Sequence, residues 1–195
     1  MHDDIDRILL GEQEIRAGIE RVAAEIAAFY GGDELTVVAV LDGSVLFVAD
    51  LIRRLPIPLR LAFLWAQSYR QGTTSGAFSF GALPPAVEIQ GRRILLVDDI
   101  LDTGKTLATL RRELCERGAK DVRTCVLLDK PARRVLAFEA DHACFRIGDE
   151  FVVGYGLDYA GRYRNLPYVG VLKAHLLAGR KSSPAVVAPG QDEPR

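Results

Sequence analysis

Cross-links are scarce in this chain. Cys115, Cys125 and Cys144 are the only cysteines in 195 residues, an odd number without the paired spacing of a zinc or redox site. That excludes a disulfide framework and reads as reduced, structural thiols in a cytoplasm. Charge of one sign is equally lacking. Lys and Arg number 25 against 26 Asp and Glu, a formal net charge of −1. Nothing global then draws the protein to nucleic acid or to an anionic membrane, and any anionic substrate has to be held by local groups. No window reaches the roughly 18 uninterrupted apolar residues of a membrane span. The opening MHDDIDRILL carries early acids and no long apolar core, unlike an export signal. The expectation is a soluble cytoplasmic protein with no nucleic-acid and no membrane partner.

What the chain does have is hydrophobic material, 49% of its residues, enough to bury one sizeable core in a single domain. Ile15, Ile19, Val22, Ile26 and Phe29 recur at helical spacing, which predicts a helix over 12–30 stopped by Gly31 and Gly32. LTVVAV (35–40) is a short continuous apolar run, hence a central strand, followed by a glycine turn and a helix over 44–55. Pro56 and Pro58 bracket the entry to a second strand, LRLAFLWA. ILLV (94–97), a helix over 104–117 with Gly118 past its end, and VRTCVLL (122–128) repeat the rhythm, and 143–153 adds further strand. Strands alternating with helices predict an α/β fold with an open, doubly wound parallel sheet. Ser, Thr and Gly between 67 and 83 predict a long mobile loop with a hairpin-like return. The domain is expected over 1–180, and the Pro-, Ser- and charge-rich 181–195 reads as a disordered tail.

The most informative stretch is ILLVDDILDTGKTL, residues 94–107. An apolar strand closes on Asp98, Asp99 and Asp102, and Thr103, Gly104, Lys105 and Thr106 open the next helix. Polar groups at the carboxyl end of a parallel strand mark the binding edge of such a sheet. Gly104-Lys105-Thr106 invites comparison with a nucleotide-hydrolase P-loop, which needs a glycine five residues before the Gly-Lys pair. That position is Asp99, whose carboxylate would repel phosphate oxygens. Acids first and phosphate donors second suit a ligand with hydroxyls at one end and a phosphate at the other, a ribose 5-phosphate.

This segment resembles the phosphoribosyl-diphosphate signature of the type I phosphoribosyltransferases. LLDKP (127–131), DEFVVGYGLDY (149–159) and YRNLPYVGVLK (163–173) narrow the resemblance to the hypoxanthine-guanine phosphoribosyltransferase family. With LDGSVLFVADLIRRL (41–55) and QSYRQGTTSG (67–76), it spans about residues 8–173. The resemblance implies a small hood from the chain's ends over a purine site and a homodimer or homotetramer. It implies magnesium-dependent transfer of a phosphoribosyl group from phosphoribosyl diphosphate to a 6-oxopurine base, a purine-salvage reaction.

Carried over residue by residue, the resemblance makes Asp102 the general base beside N7 of the purine; its alternative role is to cap the helix at 104. Lys130 would meet the exocyclic oxygen of the base and exclude adenine, Phe151 would stack on the ring, and the backbone of Val152 would read its edge. Asp158 would border the purine and, with Asp98 and Asp99, hold Mg2+. Arg164 would bind diphosphate. Ser68 and Tyr69 would start a loop that closes over the reacting centre and excludes water. Leu41, Asp42 and Gly43 correspond to a diphosphate loop in which the family often has Leu-Lys-Gly. The aspartate is the clearest departure, and it puts an extra negative charge beside diphosphate; Asp98 stands for a more usual glutamate. Two rival readings share the scaffold: a xanthine-preferring enzyme, and a non-catalytic regulator that senses nucleotides or touches RNA.

Overall fold

The computed structural model describes residues 1–67, 79–80 and 88–178. Five parallel strands form the central sheet: β2 (Leu35–Leu41), β3 (Leu59–Gln67), β5 (Arg93–Leu101), β6 (Asp121–Asp129) and β7 (His142–Arg146). A two-residue β4 (Ser79–Phe80) adds to one edge antiparallel to β3, giving the order β4-β3-β2-β5-β6-β7. This is the mixed α/β, doubly wound architecture that the alternating pattern predicts.

Side-chain alternation divides each central strand between two cores. Leu35, Val37, Ala39, Leu95 and Val97 face one side, where they meet Ile15, Ile19, Val22 and Ile26 of α1 (Glu12–Tyr30) and Phe47, Val48 and Leu51 of α2 (Val45–Ile52). Val38, Val40, Ile94 and Leu96 face the other, against Leu107, Leu110 and Leu114 of α3 (Lys105–Glu116). Strands buried on both faces explain the unbroken apolar runs in the sequence. Each fully buried aliphatic side chain contributes about 1.5–3 kcal/mol. Cys125 and Cys144 are buried among them, and desolvation pushes the Cys144 thiol up to about 12. The three thiols are free, with no disulfide among them.

A second sheet forms the hood. β1 (Ile5–Leu10), β9 (Val169–Leu172) and β8 (Val152–Val153) pair antiparallel in the order β1-β9-β8. Residues 143–153 add the expected further strand in two pieces, β7 in the main sheet and β8 in the hood. Two features differ from expectation. The opening IDRILL is a strand as well, because its partner β9 lies more than 150 residues away and supplies the hydrogen bonds that a local reading cannot see. The helix expected over 44–55 is shorter, Val45–Ile52. The expected mobile loop lies mostly outside the described residues, as does the tail, although the antiparallel β4 is a return of the expected kind. No helix of the described residues is long and apolar enough to cross a membrane.

Candidate active site

The site grows from the carboxyl end of β5. This strand does not stop at Val97. It continues through Asp98 and Asp99 to Leu101, because β6 pairs with it as far as Leu101↔Asp129. Asp98 is therefore a strand residue, nearly buried, and its Oδ1 accepts the Asp99 N–H at 2.9 Å. Burial first, and repulsion from Asp99 second, push the Asp98 carboxyl well above the usual carboxylate range. The Asp99 carboxyl is also raised by burial. A cleft of about 260 Å³ is lined by Asp98, Asp99, Ile100, Leu101, Asp102, Thr103, Gly104, Thr106 and Leu107. Gly104, at φ +84°, occupies the cap position of α3, and no side chain caps that helix. Thr103 Oγ1 accepts the Lys105 N–H of its first turn at 3.4 Å, and an anion is the ligand that the helix dipole favours there. Asp102 is not the helix cap.

A second cleft, of about 240 Å³, shares Asp99, Ile100 and Asp102 with the first and adds Lys130, Arg133, Phe151, Val152, Leu157 and Asp158. Five of its nine lining residues are charged, and Ile100, Phe151, Val152 and Leu157 supply the apolar walls. The Oδ1 of Asp102 is buried without a hydrogen bond and faces Arg133 Nε at 3.4 Å. Lys130 enters this cleft from just past the end of β6. It is 4% exposed, and its Nζ donates to Glu150 O at 2.8 Å and pairs with Asp149 Oδ1 at 3.3 Å. A buried ammonium needs such partners, and the chain supplies them from the loop before β8. Phe151 is half-buried and packs edge-on against Tyr159, ring centroids 5.5 Å apart.

On the far side of the carboxylates lies the Leu41–Asp42–Gly43 turn, with a cis peptide bond between Leu41 and Asp42. Gly43 abuts the Asp99 carboxylate, which a β-carbon there would meet at 1.7 Å. Arg164 joins this turn to Asp158 of the second cleft. It donates to Gly156 O at 2.6 Å, pairs with Asp158 Oδ1 at 2.9 Å, and stands 4.0 Å from Asp42 Oδ2. Ser68 and Tyr69 lie outside the described residues. Every other residue expected at the site falls in the two clefts or in this turn, except Arg164, which stands between the turn and Asp158, and Lys105, which is exposed on the first turn of α3.

As to a metal, no group of three His, Cys, Asp or Glu side chains among the described residues could hold an ion alone. Asp158, part-exposed in the second cleft, and Asp99 in both clefts are hard oxygen donors. One or two carboxylates completed by substrate oxygens is the way Mg2+ is commonly held, so the donor set fits that ion. Sequence reasoning missed Arg133, Arg134, Asp149 and Glu150. The charged residues flanking Lys130 and Phe151 were the available signal, but their partners are set by tertiary contact.

A family model for the phosphoribosyl transferase domain matches residues 7–160, which places the sheet and its carboxylate-and-cradle turn in the type I phosphoribosyltransferase class. The hypoxanthine-guanine phosphoribosyltransferase of Streptococcus pneumoniae is 42% identical over 173 residues, 89% of this chain and 96% of that protein. The solved hypoxanthine phosphoribosyltransferase of Staphylococcus aureus superposes with a TM-score of 0.84 at 38% identity, covering 90% of this chain and 96% of that one. The Trypanosoma cruzi enzyme complexed with the product IMP gives a TM-score of 0.86 at 37% identity, covering 94% and 98%. The chain belongs to the hypoxanthine-guanine phosphoribosyltransferase family and is a phosphoribosyltransferase.

Proposed function

We propose that the protein transfers the phosphoribosyl group of 5-phosphoribosyl 1-diphosphate to hypoxanthine or guanine with Mg2+, giving IMP or GMP and diphosphate. The observation that carries this reading is the continuity of the two clefts through Asp99, Ile100 and Asp102. One side offers an anion cradle and the other an aromatic slot with a buried lysine. A ribosyl phosphate laid in the first presents its C1′ to a base lying in the second.

In the reaction N9 of the base attacks C1′ while the bond from C1′ to the diphosphate oxygen breaks, and the N7 proton leaves the base. Asp102 is the acceptor for that proton, since its Oδ1 is buried, carries no hydrogen bond and lines both clefts. Asp98 and Asp99 accept from the sugar hydroxyls, and the first turn of α3 holds the 5-phosphate. Lys130 has three N–H donors; Glu150 O and Asp149 engage two, which leaves one for an exocyclic oxygen at C6. An amino group at that position would set donor against donor, so adenine is disfavoured. Phe151 stacks on the ring and the Val152 backbone meets its edge. Arg164, already paired with Asp158, turns its guanidinium to the diphosphate. Asp158 and the Asp98–Asp99 pair would hold Mg2+, which would supply charge neutralisation of the departing diphosphate.

We place the enzyme in the cytoplasm as a homodimer or homotetramer, by analogy with the family. The test is a nucleotide-formation assay with phosphoribosyl diphosphate and hypoxanthine, guanine, xanthine or adenine offered separately, each with and without chelator. Turnover with hypoxanthine or guanine that chelator abolishes supports the reading. Turnover with xanthine alone replaces the base, and tight nucleotide binding without turnover on any purine overturns it.

A further inference from the structure

The loop after β6 does more than carry Lys130. Three successive carbonyls of the catalytic turn, those of Leu101, Asp102 and Thr103, are all taken by residues 130–136. Leu101 O accepts Lys130 N–H at 3.0 Å and Arg134 Nη1 at 3.0 Å. Asp102 O accepts the same Arg134 Nη1 at 2.8 Å. Thr103 O accepts the amides of Val135 at 3.1 Å and Leu136 at 3.4 Å. Arg134 is only 14% exposed, and its other terminal nitrogen is bound to the Asp129 carboxylate at the end of β6. The side chain also lies under Gly104, where a β-carbon would meet Arg134 Cδ at 3.2 Å.

We propose that Arg134, anchored by Asp129, is a positioning residue: it clamps the Leu101–Thr103 backbone so that the Asp102 carboxylate and the phosphate cradle keep a fixed mutual geometry. This rests on the reading of Asp102 and residues 103–106 given above. A guanidinium suits the task because it is planar, always charged and forked, so one group engages two carbonyls and a carboxylate at once. A lysine ammonium is a point charge on a flexible stem and cannot span the same three acceptors in the same plane. The clamp matters for rate because displacing a catalytic group by about 1 Å can cost on the order of 100-fold. It also links the two halves of the site, since the loop that carries Lys130 to the base is the one that holds the phosphate turn.

The test compares wild type with Arg134→Lys, Arg134→Ala and Asp129→Asn in the full chain. Steady-state kinetics, melting temperature and amide hydrogen exchange over residues 101–107 are read together. The clamp predicts that Arg134→Lys melts within about 3 °C of wild type, loses at least ~20-fold in kcat, and changes KM for the base less than threefold. Exchange across 101–107 should quicken while β2 and β3 stay protected. Methylguanidinium added to Arg134→Ala should recover part of the lost rate, and methylammonium should not. Unchanged exchange over 101–107, or kcat within threefold of wild type in Arg134→Lys, overturns the clamp. So does a rate loss in every variant that follows melting temperature and is not rescued. If wild type itself turns over no purine, the proposed reaction fails; the exchange measurement still decides for or against the clamp.

Discussion

The backbone of Gly156 lies against that of Gly43: a β-carbon on Gly156 would stand 2.1 Å from the Gly43 carbonyl oxygen. Gly156 also has φ +98°, a conformation that side-chain-bearing residues rarely adopt. The loop around Gly156 and the Leu41–Gly43 turn are therefore seated on one another, and Arg164, whose Nη1 donates to Gly156 O at 2.6 Å, reaches across the joint.

Gly156→Ala should accordingly push the Leu41–Gly43 turn outward. The expected outcome is a loss of at least about 2 kcal/mol in unfolding free energy, from backbone strain plus the clash. KM for phosphoribosyl diphosphate should rise at least tenfold. Denaturant titration and initial rates check this; an alanine variant as stable as wild type, with unchanged KM, would show that the two loops separate freely.

Asp102→Asn keeps the shape of the side chain and removes its capacity to take a proton. Turnover should fall at least ~100-fold, the usual scale for a lost general base, while IMP binding persists. Stopped-flow rates and equilibrium binding separate the two effects. Turnover near that of wild type would remove Asp102 from this role.

How much of this site is legible in the sequence depends on how local it is. Asp98 to Thr106 is one strand, one turn and one helix start, so periodicity and residue type place it. The buried setting of Lys130 is not legible, because Asp149 and Glu150 reach it only after β7 has joined the sheet. Arg134 is harder still. In the sequence it is one of two adjacent arginines, and its meaning comes from carbonyls more than 30 residues earlier. The strand β1 is hidden for a similar reason: Asp6 and Arg7 interrupt its apolar pattern, and it is stabilised by β9 rather than by its own propensity. Extension of β5 through Asp98 and Asp99 runs against the low strand preference of aspartate, and pairing with β6 overrides it.

Lys130→Met should narrow the ratio of kcat/KM between hypoxanthine and adenine by at least about tenfold, by removing the donor that faces the C6 substituent. The thioether fills the buried space, so a change in selectivity is not a consequence of collapse. Competition of the two bases for limiting phosphoribosyl diphosphate measures the ratio directly. An unaltered ratio would mean that another group reads C6.

Asp42 is 61% exposed by side chain and stands 4.0 Å from the guanidinium of Arg164. On the proposed reading it would repel an incoming diphosphate and compete for the arginine, both weakly because solvent screens the charges. Asp42→Asn is expected to lower KM for phosphoribosyl diphosphate and the inhibition constant of product diphosphate together, by about two- to fivefold, with less difference at high salt. A rise in either constant would assign the carboxylate a binding role instead.

Asp98 sets function against stability. Its carboxyl is raised well above its ordinary value of 3.8 by burial and by Asp99. The folded protein therefore holds this proton in a pH range where the unfolded chain has released it. Stability falls as pH rises from 3.8 through the folded-state value, and the full cost persists above it. Asp98→Asn has no proton to lose and keeps an oxygen for the Asp99 N–H. It should melt higher than wild type at pH 7.5. The advantage should shrink toward pH 4.5, and the variant should bind phosphoribosyl diphosphate more weakly, having lost a charged acceptor for a sugar hydroxyl. Melting curves at the two pH values decide the matter: a variant no more stable at pH 7.5 than at pH 4.5, relative to wild type, would mean that the buried carboxylate carries no folding cost.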